Sequence, residues 1–220
     1  FEQIDMLGPK WFAEKLAAEG MAVPPILAAV GDGTFFKADD SGAYAFTPDG
    51  DYAAIPVPAG AWHLADKKRG AKPIKRNGSA SLWDVGDGVA CLELHSKMNA
   101  IDADTIAMLG TAARIDKEGY KALIIGGDYD NFSVGANVGV VLFAANAAMW
   151  PVIEQSIGAL QSALSALKYA KFPVVSAVAG MALGGGCEIA LHSDAVQAHA
   201  ESYMGLVEVG VGVIPAGGGS

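Results

Sequence analysis

The sequence Ala182-Leu183-Gly184-Gly185-Gly186-Cys187-Glu188 lies between a β-branched apolar run at 173–178 and an apolar run with helical spacing. Three consecutive glycines allow a backbone to approach a neighbouring group closely. The first amides of a helix have no partner within it and lie at its positive end, so they can donate to an oxygen that gains negative charge. A tight strand-to-helix crossing also favours glycine, so the spacing leaves an anion-stabilising turn and a purely structural turn equally open.

The segments around this turn alternate between strand-like and helix-like patterns. Strands at 80–85 and 89–94 flank Gly86-Asp87-Gly88, which indicates a hairpin. Periodicity then predicts a helix at 102–115, a strand at 122–126, a helix at 150–170, a strand at 173–178, a helix at 184–192 and a strand at 195–198. The longest helix has one apolar face, formed by Ile153, Ile157, Leu160, Leu164 and Leu167. This order of elements predicts an α/β domain.

The first third of the chain has a different pattern. Pro9 and Gly20 bracket a predicted helix at about 9–18, a second short helix is expected at 26–30, and strand-like pieces follow at 44–46 and 52–57. Residues 67–76 hold six of the fifteen Lys and Arg residues. We interpret them as a solvated linker, although phosphate binding stays an alternative. The predicted division is residues 1–66, a basic linker at 67–79, and a domain at 80–220.

Two glutamates are candidates for acid–base chemistry. Glu188 falls in the first turn of a predicted helix, where the helix dipole alone would favour a carboxylate. Glu208 is the only charged residue between Ser202 and Ser220, so it is at the surface, protonated, or kept for chemistry. Two carboxylates at one cavity can divide the acid and base roles.

A second glycine-containing turn is a candidate for a further backbone donor. The sequence Phe132-Ser133-Val134-Gly135-Ala136-Asn137 follows a predicted buried strand and precedes an apolar helix. Two amide donors from separate turns are what an oxyanion hole requires, whereas one glycine turn alone is ordinary loop structure.

Composition excludes several classes of function. The formal charge of −9 and pI near 4.8 argue against nucleic-acid binding, which needs a basic face. Cys91 and Cys187 fit neither a disulfide framework nor a zinc site, which favours a reducing, cytoplasmic location, and no metal cluster or phosphate loop is present. The uncharged run at 132–153 is long enough to span a membrane, but its Asn, Gly and Pro residues and its acidic flanks argue against a span.

Four motifs together resemble the enoyl-CoA hydratase/isomerase (crotonase) superfamily, from about residue 80 to residue 220. They are Met98-Asn99-Ala100-Ile101, Gly135-Ala136-Asn137, the glycine turn at 182–188, and Glu208 followed by Gly212-Val213-Ile214-Pro215. The resemblance implies a crotonase-like ββα superhelix and an acyl-CoA thioester substrate. It implies that the amides of Ala136 and Gly185 hold the thioester oxygen, and that Glu188 and Glu208 move protons during hydration.

The resemblance also implies contacts to coenzyme A and to the acyl chain, which we expect from Lys97, Met98, Val134, Asn137, Val138, Gly184 and Pro215. Crotonases usually continue with further C-terminal helices and form homo-oligomers, so the resemblance implies a domain truncated at residue 220 and leaves open its activity by itself and its assembly as a homo-oligomer.

The first 60 residues resemble the end of the C-terminal domain of 3-hydroxyacyl-CoA dehydrogenases. The resemblance rests on Asp5-Met6-Leu7-Gly8, Val23-Pro24-Pro25 and Phe35-Phe36-Lys37. It implies a small, mostly helical remnant and a multifunctional fatty-acid oxidation protein whose NAD site lies outside this chain. No cofactor is therefore expected here, since coenzyme A belongs to the substrate.

Three functions remain open from the sequence. The two glutamates favour a 2-trans-enoyl-CoA hydratase of fatty-acid β-oxidation. A Δ3-Δ2 enoyl-CoA isomerase would use the same thioester site with one base and no activated water. A structural or acyl-CoA-binding module without activity is the third reading.

Overall fold

The computed structural model describes all residues from 1 to 220 and divides them into two compact units, Phe1–Trp62 and His63–Ser220. The first unit contains helices α1 (Glu2–Leu7), α2 (Pro9–Ala18) and α3 (Pro25–Val30). Strands β1 (Phe36–Asp39), β2 (Gly42–Phe46) and β3 (Tyr52–Ala54) follow and form an antiparallel sheet in that order. The two predicted helices are confirmed, while α1 and the largely exposed edge strand β1 were missed.

The first unit has a small core of its own. Leu27, Val30 and Phe35 are buried together. The carboxylate of Asp5 accepts hydrogen bonds from the amides of Phe35 and Phe36 at 2.6 and 2.9 Å, which fixes helix α1 to the start of β1. The unit has three helices and three short strands, which agrees with the mostly helical segment expected from the sequence.

The second unit begins with helix α4 (Leu64–Lys68) and strands β4 (Lys75–Arg76), β5 (Ala80–Gly86) and β6 (Val89–Leu94). Helix α5 (Ala103–Ala112), strand β7 (Ala122–Ile125), and helices α6 (Val138–Asn146) and α7 (Trp150–Lys168) follow. The last elements are β8 (Val174–Val178), β9 (Met181–Leu183), α8 (Gly185–Leu191), β10 (Ala195–Ala198) and β11 (Tyr203–Gly205). Short 3-10 helices cover Lys97–Asn99, Ile115–Glu118 and Glu208–Val211.

A six-stranded sheet with the order β10-β8-β7-β6-β5-β4 organises this unit. Strands β4, β5 and β6 pair antiparallel, and the predicted hairpin turns at Asp87 and Gly88, which have positive φ angles of 55° and 74°. From β6 onward the pairing is parallel, through β7 and β8 to β10. The expected α/β class is confirmed, because each parallel step needs a crossover through a helix or long loop.

Helix α7 packs its apolar face against the core, as the spacing of its apolar residues predicts. Leu160, Leu164 and Leu167 are buried, whereas Ile153 and Ile157, nearer the start of the helix, are only partly buried. The core beneath includes Leu82, Leu92 and other side chains of the sheet, and it places α7 beside α5.

The basic segment is not the free linker that we predicted. The boundary between units falls after Trp62, and Leu64 is only 2% exposed in a cluster with Trp83 and Cys91. Ile74 donates its amide to Leu82, and the next two residues form β4. Leu64 and Ile74 pack in clusters that include the hairpin strands, and Lys68 forms an ion pair with Glu93 at 2.7 Å, so apolar and charged contacts together order the segment.

The uncharged run at 132–153 does not form one long element. It is divided between a loop, helix α6 and the start of α7, and no helix in the structure has both the length and the apolar character needed to span a membrane.

Candidate active site

The glycine turn joins strand β9 to helix α8. Gly184 caps the helix with φ 52° and ψ −121°, a conformation that side chains disfavour. Its amide donates to the carbonyl of Gly205 at 2.9 Å, and its carbonyl accepts from the amide of Glu188 at 2.9 Å. The turn is therefore tied to β11 on one side and starts the helix on the other.

A second segment, residues 132–136, crosses this turn in close contact. Ser133 donates its amide to Met181 at 3.0 Å and accepts from the amide of Leu183 at 2.9 Å. A Cβ atom on Gly186 would collide with the carbonyl oxygen of Ser133 and lie 2.8 Å from its Cβ atom. On Gly135, where φ is +81°, it would lie 2.7 Å from the carbonyl oxygen of Leu183. The structural reading of the glycines is thus correct at both segments.

The same crossing leaves two backbone amides without acceptors. The carbonyl of Gly135 accepts from Ile101 at 3.0 Å in an isolated parallel bridge, so the next amide, that of Ala136, points to the opposite side and makes no hydrogen bond. The amide of Gly185 begins helix α8 and has no acceptor either. A Cβ atom on Gly135 would lie 3.0 Å from the nitrogen of Gly185, which places the two segments side by side.

Glu188 is the most deeply buried charged residue at this turn, with 2% of its surface exposed. Its Oε1 atom accepts hydrogen bonds from the amides of Gly218 and Gly219, both at 2.9 Å. Its Oε2 atom lies 3.7 Å from the position of a Cβ atom on Gly185. One carboxylate oxygen is therefore held by the backbone and the other faces the glycine turn.

Glu208 also reaches the glycine turn. It begins a 3-10 helix and is partly buried, so it is not simply an exposed surface carboxylate. Its Oε1 atom lies 3.2 Å from the position of a Cβ atom on Gly184. Its Oε2 atom is buried and has no hydrogen-bond partner. A carboxylate oxygen in this position is available to a ligand or to water.

Both carboxylates affect the pKa of the Cys187 thiol. Burial raises its pKa above the ordinary value, and the negative charges of Glu208 and Glu188 raise it further. Two glutamates that are 20 residues apart in the sequence thus act on one thiol. This convergence is what sequence spacing could not establish.

The other predicted residues are distributed around this centre. Met98 and Asn99 have positive φ angles of 58° and 51°, and the carbonyl of Met98 accepts from the amide of Val134 at 3.4 Å. The side chain of Asn137 accepts from the amide of Gly139 at 3.0 Å and caps α6. Val138, at the start of that helix, is 44% exposed.

Two residues predicted to contact the substrate, Lys97 and Pro215, form no hydrogen bond with the glycine turn. The side chain of Lys97 is exposed at the surface. Pro215 is partly buried, and its carbonyl accepts from the hydroxyl of Ser220 at 3.0 Å. Pro215 therefore belongs to the segment whose amides hold Glu188.

Sequence reasoning missed the residues that support the site. Gly218 and Gly219 lie in a run of glycines, and nothing in that run reveals that its amides donate to Glu188. The hydroxyl of Ser133 donates to the carbonyl of Asn99 at 2.7 Å and holds the left-handed turn at 98–99. The pairing is long-range, so it leaves no local signal in the sequence. The chain contains no group of three or more His, Cys, Asp or Glu side chains placed to hold a metal ion.

The residues of this site lie in a part of the chain that matches a known protein family. The family model described as enoyl-CoA hydratase/isomerase matches residues 84–220. A probable 3-hydroxyacyl-CoA dehydrogenase of Bacillus subtilis is 39% identical over the whole chain. A putative fatty acid oxidation complex trifunctional enzyme of Rickettsia felis is 37% identical over 66% of the chain. The chain spans only 28% and 20% of the length of these two relatives.

Two solved structures each match 64% of this chain. An enoyl-CoA hydratase from Polaromonas sp. JS666 is 25% identical with a TM-score of 0.60, covering 64% of this chain and 55% of its own. An enoyl-CoA hydratase from Shewanella pealeana is 26% identical with a TM-score of 0.57, covering 64% and 54%. The ββα superhelix expected from the resemblance is confirmed at the level of the fold.

The crossing of the two glycine segments predicts a large stability difference between two Gly→Ala variants. Gly186→Ala should lower the free energy of unfolding by about 2 kcal/mol, because the new methyl group meets the backbone of Ser133. Gly158→Ala in helix α7, where nothing lies within 4 Å, should raise it by up to about 1 kcal/mol. Urea denaturation of both variants measures the difference, and equal stabilities would contradict the crossing.

The raised pKa of Cys187 predicts slow alkylation that depends on Glu208. Thiolate is the reactive form, so the midpoint of the rate–pH curve for iodoacetamide should lie above that of the unfolded protein. Glu208→Gln removes one negative charge and should move this midpoint to lower pH. Mass spectrometry of tryptic peptides separates Cys187 from Cys91, whose buried thiol has a pKa raised to about 12.

Glu201→Gln is the matched control, because Glu201 is an exposed carboxylate that is absent from the causes of the Cys187 shift. A midpoint that is the same in all three proteins would show that Glu208 does not approach the thiol.

Proposed function

The chain belongs to the enoyl-CoA hydratase/isomerase family, and from that premise we propose that its second unit adds water across the double bond of a 2-trans-enoyl-CoA. The observation that carries the proposal is the convergence of Glu188 and Glu208 on the turn at Gly184 and Gly185. Hydration needs one proton removed from water and one delivered to carbon. Two carboxylates at one turn provide both groups.

The amides of Ala136 and Gly185 supply the electrostatic part of the mechanism. In the proposed complex both donate to the thioester carbonyl oxygen, which gains negative charge as the double bond is attacked. Backbone donors that are fixed before the reaction stabilise such an oxyanion without reorganisation. Neither amide has an acceptor in the structure, which supports this role. For Gly185 this is unusual, because it is a buried residue and a buried N–H group is ordinarily paired.

The proton transfers balance with two glutamates. As the water oxygen bonds to C3, one carboxylate accepts a proton from that water, and the electrons of the double bond move toward the thioester. The other, protonated glutamate then delivers a proton to C2 of the resulting enolate. Proton exchange between the two side chains restores the starting state, so the net change is addition of one water molecule.

The two glutamates enter this chemistry unequally. Oε1 of Glu188 is occupied by two amides, which leaves Oε2 for water. Oε2 of Glu208 has no partner and is buried beside the same turn. A water molecule that bridges these two oxygens would satisfy the buried lone pairs and lie where it can attack.

We place the coenzyme A portion along the left-handed turn at Lys97 and Met98 and the start of α6. Met98 is 48% exposed and its backbone bonds Val134, so its apolar side chain is presented at the surface next to the crossing. Asn137, Val138 and Pro215 complete the proposed contact surface. Gly184 leaves room for the thioester, since it carries no side chain beside Glu208.

The relatives suggest the wider context of the reaction. Alignment with the probable dehydrogenase of Bacillus subtilis covers residues 1–62 as well as the second unit. This supports the proposal that the first unit is the end of a 3-hydroxyacyl-CoA dehydrogenase domain whose NAD site lies outside this chain. Hydration yields a 3-hydroxyacyl-CoA, which is the substrate that such a dehydrogenase oxidises. The chain would then belong to a protein of fatty-acid β-oxidation.

Neutralising either glutamate should slow hydration. We expect Glu188→Gln and Glu208→Gln each to lower kcat for crotonyl-CoA by about 100-fold or more, because each removes a proton-transfer group without changing its shape. Loss of the ultraviolet absorbance of the conjugated enoyl thioester measures the rate. Glu154→Gln, at an exposed position of α7, should leave the rate unchanged. A Glu208→Gln protein with the wild-type rate would overturn the role of Glu208.

Two ligands separate hydration from the other functions. Calorimetry should detect binding of acetoacetyl-CoA, whose enolate resembles the charge that the two free amides stabilise. Absence of binding would favour a purely structural module. A 3-enoyl-CoA should be converted slowly or not at all, whereas rapid formation of the 2-enoyl isomer without hydration would identify an isomerase.

A further inference from the structure

The segment 215–219 passes over the side chain of Glu188 and holds it in place. The amides of Gly218 and Gly219 both donate to Oε1 at 2.9 Å. A Cβ atom on Gly217 would collide with Oε2 and lie 2.9 Å from the carboxyl carbon. The carboxylate is thus confined between its own helix and this segment, and its rotation depends on where the segment lies.

Helix α7 determines where this segment lies. The side-chain amide of Gln161 donates from Nε2 to the carbonyl of Ala216 at 2.7 Å. The neighbouring Leu160 packs from below, since a Cβ atom on Gly217 would lie 2.8 Å from its Cδ2 atom. These are the two contacts that join α7 to the residues immediately before the amides on Glu188.

Gln161 is not part of the helix's core face. It is exposed at the surface, whereas the neighbouring residue Leu160 is 9% exposed and packs in the core. A surface glutamine usually contributes little to stability, so its hydrogen bond to Ala216 acts chiefly on the geometry of that segment.

We propose that Gln161 is a positioning residue for Glu188. Through the carbonyl of Ala216 it holds the amides of Gly218 and Gly219 on Oε1, and this directs Oε2 toward the turn at Gly185. Gln161 itself touches neither the substrate nor the reacting atoms. The inference rests on the hydratase function proposed above for its catalytic consequence, but the coupling between Gln161 and the two amides does not depend on it.

Removal of the donor tests the coupling directly. Gln161→Met keeps the length of the side chain and loses the N–H group, so the amides of Gly218 and Gly219 should exchange with solvent about tenfold faster, as measured by NMR of ¹⁵N-labelled protein. Glu188→Ala, which removes the acceptor, should accelerate the same two amides. Gln161→Lys retains an N–H donor and should restore slow exchange.

The catalytic readout is a division between kcat and KM. In Gln161→Met we expect kcat for crotonyl-CoA to fall about three- to tenfold, the range for loss of one hydrogen bond, with KM unchanged. The melting temperature should stay within about 2 °C of the wild-type value. Gln155→Met, at an exposed position of the same helix, should change none of these quantities.

The outcomes separate this inference from the proposed function. Unchanged exchange at Gly218 and Gly219 in Gln161→Met would overturn it, and so would faster exchange with an unchanged kcat. A wild-type protein that does not hydrate enoyl-CoA would refute the hydratase function and the catalytic consequence together. In that case the exchange rates alone would still decide whether Gln161 holds the amides on Glu188.

Discussion

The close crossing of residues 132–136 with the turn at 181–186 is the constraint on which the rest of the candidate site depends. The amide of Ser133 donates to Met181 and its carbonyl accepts from Leu183, which brings the two backbones together. Glycine at 135 and 186 removes the side chains that would separate them. Because the crossing orients the amides of Ala136 and Gly185, it also determines where an anionic oxygen can bind. The close packing of the two backbones and the orientation of the two amides both result from this one contact. The structural turn and the anion-stabilising turn proposed from the sequence are therefore compatible.

Much of this arrangement could be predicted from the sequence, because its signals are local. The hairpin around Gly86, the apolar face of α7 and the strand-turn-helix at Gly184 all follow from patterns within about 20 residues. The order of strands in the sheet, the ordering of the basic segment and the bond from Glu188 to Gly218 are long-range. Pairing of this kind depends on which segments meet in three dimensions, and the charge pattern at 67–76 does not reveal that Lys68 pairs with Glu93.

The two carboxylates illustrate the same limit at the level of chemistry. Their residue types and their places in a helix and a 3-10 turn follow from the sequence, but their division of labour does not. Glu188 is surrounded by donors from the backbone, while Glu208 has a buried oxygen without one. Such a difference in hydrogen bonding gives two groups of the same type different environments, and a division into acid and base depends on such a difference. It arises from glycines far along the chain, which no feature of either glutamate reveals.

An unsatisfied buried oxygen costs free energy unless something at the site compensates for it. Here the compensation is absent from the chain itself, because no group of the chain hydrogen-bonds Oε2 of Glu208. The amide of Gly185, which is a buried residue, also lacks an acceptor, and the amide of Ala136 is unpaired at an exposed residue. The fold thus leaves donors and an acceptor unpaired at one turn. The donors are complementary to a carbonyl oxygen, and the acceptor is complementary to a water molecule. The fold therefore leaves polar groups unpaired at the place where we propose that a thioester and its attacking water bind.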